Sequence, residues 1–161
     1  MRKILMAISL CTCLILTGTA LAESTLSAED AASNHMVAEA KLTAHFIDAA
    51  VKAGMSPEAI NAVLAYVAQH SVITEFWVSD EHGQIEFTNI PGTSFSFPTD
   101  PKSDTQAAPF AALLSGSQSV VIQAVEKREL DGALFKYVGV AGVDKPRIVQ
   151  VGISATELHG P

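Results

Sequence analysis

Residues 72–89, VITEFWVSDEHGQIEFTN, contain the strongest structural signal in the chain, because they predict two strands joined by a tight turn. Residues 72–79 are rich in β-branched and aromatic side chains, and residues 84–89 alternate between apolar and polar ones, as strands with two different faces do. Asp80-Glu81-His82-Gly83 separates them and is a typical turn sequence, since aspartate bonds to the backbone that follows it and glycine tolerates a positive φ. We therefore expect an antiparallel β-hairpin here.

Two helices are predicted on the N-terminal side of the hairpin. Over residues 27–53, apolar side chains recur at three- and four-residue spacing, which predicts one long amphipathic helix that stops at Gly54. A second helix is expected from Pro57 to near His70, because Ser56 can cap it and proline fits the first helical position. The apolar face of the long helix is expected to comprise Met36, Ala40, Ala44, Ile47 and Val51.

Three further strands are predicted on the C-terminal side of the hairpin. A long loop at residues 90–106 and a short helix at residues 107–114 come first. Strands joined in consecutive hairpins form an antiparallel sheet, and the long helix is expected to cover one of its faces. The fold class is therefore α+β, with the long N-terminal helix and a second helix packed on a five-stranded antiparallel sheet. The three strands are expected at residues 119–127, 133–141 and 147–154.

The N-terminus has the three parts of an export signal. Arg2 and Lys3 form a short basic start, residues 4–16 are mostly apolar, and Ala20-Leu21-Ala22 is a small-x-small cleavage site. The apolar run is shorter than the roughly 20 residues that span a membrane. We therefore expect cleavage after Ala22 and a periplasmic product at residues 23–161, with retention of the segment as a membrane anchor as the alternative.

Removal of this segment changes the composition on which any function depends. It takes away two basic residues and no acidic one, so 139 of the 161 residues remain and the formal net charge goes from −7 to −9. Cys11 and Cys13, the two cysteines of the chain, are removed as well. A mature chain of this kind has no thiol nucleophile, disulfide or cysteine-bound metal. Its acidic charge excludes nucleic acid as the expected partner, because phosphates attract a basic surface.

The order of elements resembles a single Cache domain, the extracytoplasmic relative of the PAS fold. The resemblance rests on the strand-turn-strand sequence at residues 78–85, on Asp131-Gly132 leading into residues 135–140, and on the last strand at residues 147–152. It implies a PAS/Cache-like sheet and one ligand-binding domain of sensor type. Cache domains serve chemoreceptors, histidine kinases and cyclases, so the resemblance also implies a separate membrane kinase, cyclase, chemoreceptor or transporter as the partner.

Sequence motifs of catalysis are not found in the chain. It has no nucleophile elbow, no His-Glu-x-x-His and no phosphate-binding glycine loop. None of its five histidines pairs with another at the spacing of a helical metal site. We therefore expect a protein that is not an enzyme and that uses neither a metal nor another cofactor.

Aromatic and polar side chains near the long loop are the first candidates for ligand binding. Trp77 in a strand, with Phe95 and Phe97 in the loop, would line a pocket or pack in the core. Gln123 would supply an amide group. Arg128 lies near a strand end, where it would reach a pocket rim or water.

Lys136 is the remaining candidate. It alternates with Leu134 and Val138, so a regular strand places it on their face and Tyr137 on the other. If that face lines the pocket, its ammonium would anchor a carboxylate. The alternative is a lysine whose stem lies on apolar surface and whose charge is in water.

These residues lead to two hypotheses about function. The first is a periplasmic, sensor-type domain that recognises a small organic ligand such as a carboxylate and acts with a membrane partner. The second is a structural or assembly module that forms a homodimer through the long N-terminal helix. The candidate ligand-binding residues are Trp77, Phe95, Phe97, Gln123, Arg128 and Lys136.

Overall fold

Helices and an antiparallel sheet are arranged in the order that the sequence predicts. The computed structural model describes residues 27–129 and 131–159. The predicted export signal, its cleavage site after Ala22 and both cysteines lie outside the described residues. Within them, the fold class is α+β, as expected, with two helices packed on one six-stranded sheet.

The long helix α1 spans Ala28–Lys52 and confirms the predicted element at residues 27–53. Ser27 caps it, since the Ser27 hydroxyl accepts a hydrogen bond from the Asp30 N–H at 3.1 Å. Its buried face contains Ala50. Val51, which was expected on that face, is 42% exposed. It follows Ala50 by one residue, which turns it about 100° further round the helix and away from the sheet.

The second helix, α2, spans Pro57–Gln69 and begins as predicted. The Ser56 hydroxyl accepts from the Ala59 N–H at 3.3 Å, and Pro57 occupies the first turn. Where α1 packs across the middle of the sheet, α2 packs near its edge. Among the described helices, none is long and apolar enough to cross a membrane.

The six strands pair only in antiparallel fashion. Their order across the sheet is β2-β1-β6-β5-β3, and β4 also pairs with β5. The first hairpin and the last strand are therefore neighbours, which brings residues distant in sequence onto one surface. The strands are β1 (Glu75–Ser79), β2 (Ile85–Thr88), β3 (Val120–Ile122), β4 (Glu126–Lys127), β5 (Leu134–Ala141) and β6 (Ile148–Ser154).

The predicted strand at residues 119–127 is in fact two short strands, and this is why the sheet has six members instead of five. Ile122 pairs with Val138, whereas Glu126 pairs with Phe135, so the pairing register changes by one residue between them. Such a change marks a β-bulge.

The expected short helix at residues 107–114 is also divided, into a 3₁₀ turn at Ala108–Phe110 and a helix α3 at Ala111–Leu114. A terminal helix α4 at Ala155–His159 was not predicted.

Each face of the sheet is covered by a different part of the chain. The face under α1 and α2 is apolar and includes Met36, Ala40, Ile47, Val78, Val138 and Val151. The other face is aromatic and is covered by the long loop and α3. It includes Trp77, Phe97, Phe110, Leu113, Tyr137 and Ile148.

Candidate ligand-binding site

A cavity of about 540 Å³ lies on the sheet face opposite α1, between the strands and the long loop. Three strands each contribute a side chain to it: Trp77 from β1, Tyr137 from β5 and Gln150 from β6. Residues 90–95 of the long loop form one wall of the cavity. Gln123, in the bulge between β3 and β4, also lines it. Cavities of this size hold small organic molecules.

The turn of the first hairpin holds the long loop in place. Asp80 Oδ1 accepts hydrogen bonds from the N–H groups of His82 (2.8 Å) and Gln84 (2.9 Å). The Gly83 carbonyl accepts one from the Phe97 N–H at 2.8 Å. Gly83 has a φ of 80°, and a β-carbon there would collide with the Phe97 carbonyl, so the position requires glycine. The turn thereby fixes where the aromatic end of the loop lies.

Phe95 and Phe97 contribute to the aromatic wall in different ways. The Phe95 ring lines the cavity and meets Trp77 edge-on, with centroids 5.4 Å apart. Phe97 is buried behind Phe95 at 4.9 Å between centroids, and it is not a lining residue. The expectation that Phe97 contacts a ligand is therefore corrected: Phe97 packs in the core and supports the Phe95 ring. Edge-to-face pairs of this kind hold aromatic rings in a fixed orientation.

Glu75 at the start of β1 is the acceptor of a buried hydrogen-bond network beside the cavity. Its side chain is among the buried polar groups, at 6% exposure. Glu75 Oε2 accepts from Trp77 Nε1 at 3.0 Å and from the Tyr137 hydroxyl at 2.8 Å. Burial, together with the negative charge of Glu75, raises the pKa of Tyr137, so the hydroxyl remains a donor at neutral pH. The two rings are thus held by a single carboxylate.

The Tyr137 ring reaches Glu75 because the strand between them carries a glycine. Gly152 on β6 pairs with both Glu75 and Tyr137. A β-carbon at Gly152 would lie 2.5 Å from Tyr137 Cε1. Glycine here gives the aromatic ring the space to lie across the strand.

Arg128 lies at the cavity rim, one of the two positions that the sequence leaves open for it, and its charge is already paired. Its Nη1 donates to Glu75 Oε1. Its Nε and Nη2 donate to the two oxygens of Asp131 at 2.7 and 2.6 Å, a bidentate arrangement that favours both charged forms. These contacts raise the pKa of Arg128 and lower the pKa of Asp131 to about 2. The guanidinium also lies over the Phe135 ring at 4.1 Å.

Gln123 occupies the bulge between β3 and β4 and contacts both sides of the sheet. Its side-chain Nε2 donates to the backbone carbonyl of Gln106 at 2.6 Å on the cavity side. The backbone carbonyl of Gln123 accepts a hydrogen bond from Lys136 Nζ at 2.9 Å. The predicted amide group at Gln123 is thus in the cavity wall, and its main function there is to hold the segment that carries Gln106.

Lys136 does not line the cavity, which corrects the expectation that its ammonium anchors a ligand there. It lies on the α1 side of the sheet, because alternation along β5 sends Tyr137 to the cavity and Lys136 to the helix. Its side chain is 2% exposed and Nζ is 3.1 Å from Glu29 Oε1. Lys136 therefore joins α1 to the sheet.

Two glutamines without a sequence motif, Gln106 and Gln150, also line the cavity. Gln150 is 5% exposed, and its side chain makes no hydrogen bond to the residues that the structure describes. Gln106 Nε2 is buried and has no partner there either, while its Oε1 accepts from the Glu129 N–H at 3.2 Å. Buried polar groups are nearly always paired, so the Gln106 Nε2 donor is available to a bound molecule. The Gln150 side chain faces the same cavity.

One sequence feature identifies Gln150 and Glu75 as candidate site residues. Each is a polar residue inside a strand of otherwise apolar or aromatic residues, and each falls on the face of Trp77 or Tyr137 by simple alternation. Gln106 carries no such signal, since it lies in irregular structure. Its position follows from contacts with Gln123 and Glu129, which are distant in sequence.

The chain matches no protein-family model, and a search of curated proteins finds no significant relative. In residues 27–129 and 131–159, His, Cys, Asp and Glu side chains do not gather in a group of three that could hold a metal ion. The residues of the site form an aromatic wall, a rim where charges are paired, and two glutamine side chains that face the cavity.

Proposed function

We propose that the chain is a sensor-type binding module whose ligand, a small organic molecule, occupies the cavity between the sheet and the long loop. The observation that carries this proposal is the Gln106 Nε2 donor, which is buried without a partner among the described residues in the wall of a 540 Å³ cavity. The Gln150 side chain lines the same cavity. A polar group left unpaired in a protein interior costs free energy, and a ligand that pairs with it recovers that cost. The surrounding walls are already held in place by the Glu75 network.

The cellular setting belongs to the same proposal. The signal-like residues 1–22 favour export to the periplasm. The Cache-like order of elements favours a membrane kinase, cyclase, chemoreceptor or transporter as the partner that receives the signal. The expectation of a carboxylate ligand depended on Lys136, and that residue lies on the other side of the sheet.

Assembly through α1 is the alternative, and it has less support. The exposed apolar side chains of α1 include Leu42, at 64%, and Val51, at 42%. They are nine residues apart, which places them on nearly opposite sides of a helix. A helix that dimerises presents a continuous apolar stripe, and these two residues do not form one.

A thermal-shift screen of the purified protein tests the proposal. The library contains small acids, amides, amines and sugars. A ligand at 100 times its Kd stabilises the folded state by about 2.7 kcal/mol, which raises Tm by about 10 °C in a domain of this size. We expect at least one class of compound to raise Tm, and Gln150→Met to reduce that shift.

Gln118→Met is the matched control, because Gln118 is exposed and outside the cavity. It should keep the full shift. The proposal is wrong if no compound raises Tm. A dimer that sedimentation detects, and that Leu42→Glu disrupts, would then favour assembly through α1.

A further inference from the structure

The charges around the cavity are the first evidence for the kind of ligand it accepts. Among the described lining residues, Arg128 is the only cation. Glu75 and Asp131 both bind its guanidinium, and Glu129, a lining residue, adds a third carboxylate. One positive charge thus faces three negative ones. An anionic ligand would be repelled by the excess of carboxylates, which makes its free energy of binding less favourable.

The glutamine side chains of the cavity wall are the second line of evidence. The side chain of Gln150 offers one N–H donor group and one carbonyl acceptor, and the Gln106 amide offers a buried donor. A carboxylate has acceptors only, so it cannot pair with an amide carbonyl. A carboxamide, a lactam or a similar heterocycle has a donor and an acceptor side by side, which complements a glutamine side chain.

The aromatic wall is the third line of evidence. Trp77 and Phe95 meet edge-on at 5.4 Å, and both line the cavity. The Trp77 ring is held by Glu75, so its orientation is set before any ligand arrives. Flat, rigid walls of this kind favour a planar ligand, which buries its faces against aromatic side chains.

From these three observations we infer that the cavity selects an uncharged, planar ligand with an amide-like edge, and that it discriminates against the corresponding carboxylate. This inference rests on the proposed binding function and narrows it to one chemical class. Gln150 is the residue that recognises the amide edge, and Gln106 supplies a second donor. Trp77 and Phe95 contact the plane of the ligand.

Two matched pairs of probes test the inference. Benzamide and benzoate, and nicotinamide and nicotinate, have nearly the same shape and differ in charge and in the N–H donor. Isothermal titration of the purified protein at pH 7.5 should show that each amide binds at least about tenfold more tightly than its acid. Gln150→Met, which keeps the length of the side chain and removes the amide, should weaken amide binding by about tenfold.

Gln106→Met serves as the second variant should Gln150→Met fold poorly, and we expect it to weaken amide binding in the same direction. Gln118→Met, on the exposed surface, should leave binding unchanged. Acids that bind as tightly as the amides, or amide binding that neither cavity variant weakens, would overturn the inference.

The result of the broader screen separates this inference from the proposed function. If none of the four probes binds while another class of compound raises Tm, the inference is wrong and the binding function stands. If nothing in the screen binds, both are wrong.

Discussion

Glu75 is the residue that organises the cavity wall. Trp77 and Tyr137 donate to one of its oxygens and Arg128 donates to the other. Removal of the carboxylate would leave three buried or half-buried donors without their acceptor. The cost of breaking such an arrangement is larger than the cost of losing an ion pair on the surface.

We therefore predict that Glu75→Ala lowers the free energy of unfolding by about 3 kcal/mol. Glu126→Ala, on the short strand β4, removes an exposed carboxylate and should change it by less than about 0.5 kcal/mol. Urea unfolding of both variants measures the difference. Equal losses would mean that Glu75 does not organise the wall.

The pairing of Asp131 with Arg128 predicts an acid-dependent loss of stability. In the folded protein the pKa of Asp131 is lowered to about 2 from the ordinary value of 3.8, chiefly by the hydrogen bonds from Arg128. Its contribution is fully present above about pH 4 and is lost as the pH falls towards 2, because the unfolded chain binds the proton first. Urea unfolding between pH 5 and 2 should therefore show a steeper decline for the wild type than for Asp131→Asn. Parallel curves would contradict this assignment.

At the scale of elements, Lys136 joins three parts of the fold. Its ammonium lies between Glu29 in the first turn of α1 and the carbonyl of Gln123 in the bulge. The amide of Gln123 lies in the cavity wall. The start of the long helix is thus connected to the cavity side of the sheet through a single side chain.

This connection predicts an asymmetry between two substitutions. Glu29→Ala leaves a buried ammonium with one carbonyl partner, and we expect it to cost about 2 kcal/mol of unfolding free energy. Lys136→Met removes the buried charge itself, and we expect a smaller loss, because an apolar replacement avoids the cost of burying an ion. The double variant should lose little more than Lys136→Met alone. Additive losses in urea unfolding would show that the pair is not coupled.

The elements that sequence periodicity predicts well are those whose own pattern is strong. The helix at Ala28–Lys52 and the turn at Asp80 follow from local spacing and capping chemistry. The division of residues 119–127 was not predictable in this way. It depends on Gln123, which pairs with Gln106 and Lys136 across the fold, and contacts between distant residues leave no periodic trace.

The same limit applies to the candidate site. Trp77, Phe95, Gln123 and Arg128 line the cavity, and their contact with a ligand stays a prediction. Aromatic and polar residues near a long loop are typical of such sites. Lys136 was misplaced for a specific reason. Alternation shows that Lys136 and Tyr137 lie on opposite faces, but only the packing of α1 decides which face holds the cavity.

At the scale of the whole molecule, the two faces of the sheet have different tasks. The face under α1 and α2 is a continuous apolar core, and burial of that surface stabilises the fold. The opposite face holds the aromatic and amide groups of the cavity and is covered by the long loop. We expect ligand binding to depend on this second face, while the first supplies most of the stability and offsets the cost of the unpaired Gln106 Nε2 donor.

Trp77 offers a direct probe of the proposed ligand binding in the cavity beside it. Trp77 is the single tryptophan of the sequence and lines the cavity. Titration of the compound that gives the largest thermal shift, followed by tryptophan fluorescence, should give a saturable change with the same Kd as calorimetry, and Gln150→Met should weaken it. A compound that binds by calorimetry but leaves the fluorescence of Trp77 unchanged would show that the ligand binds elsewhere.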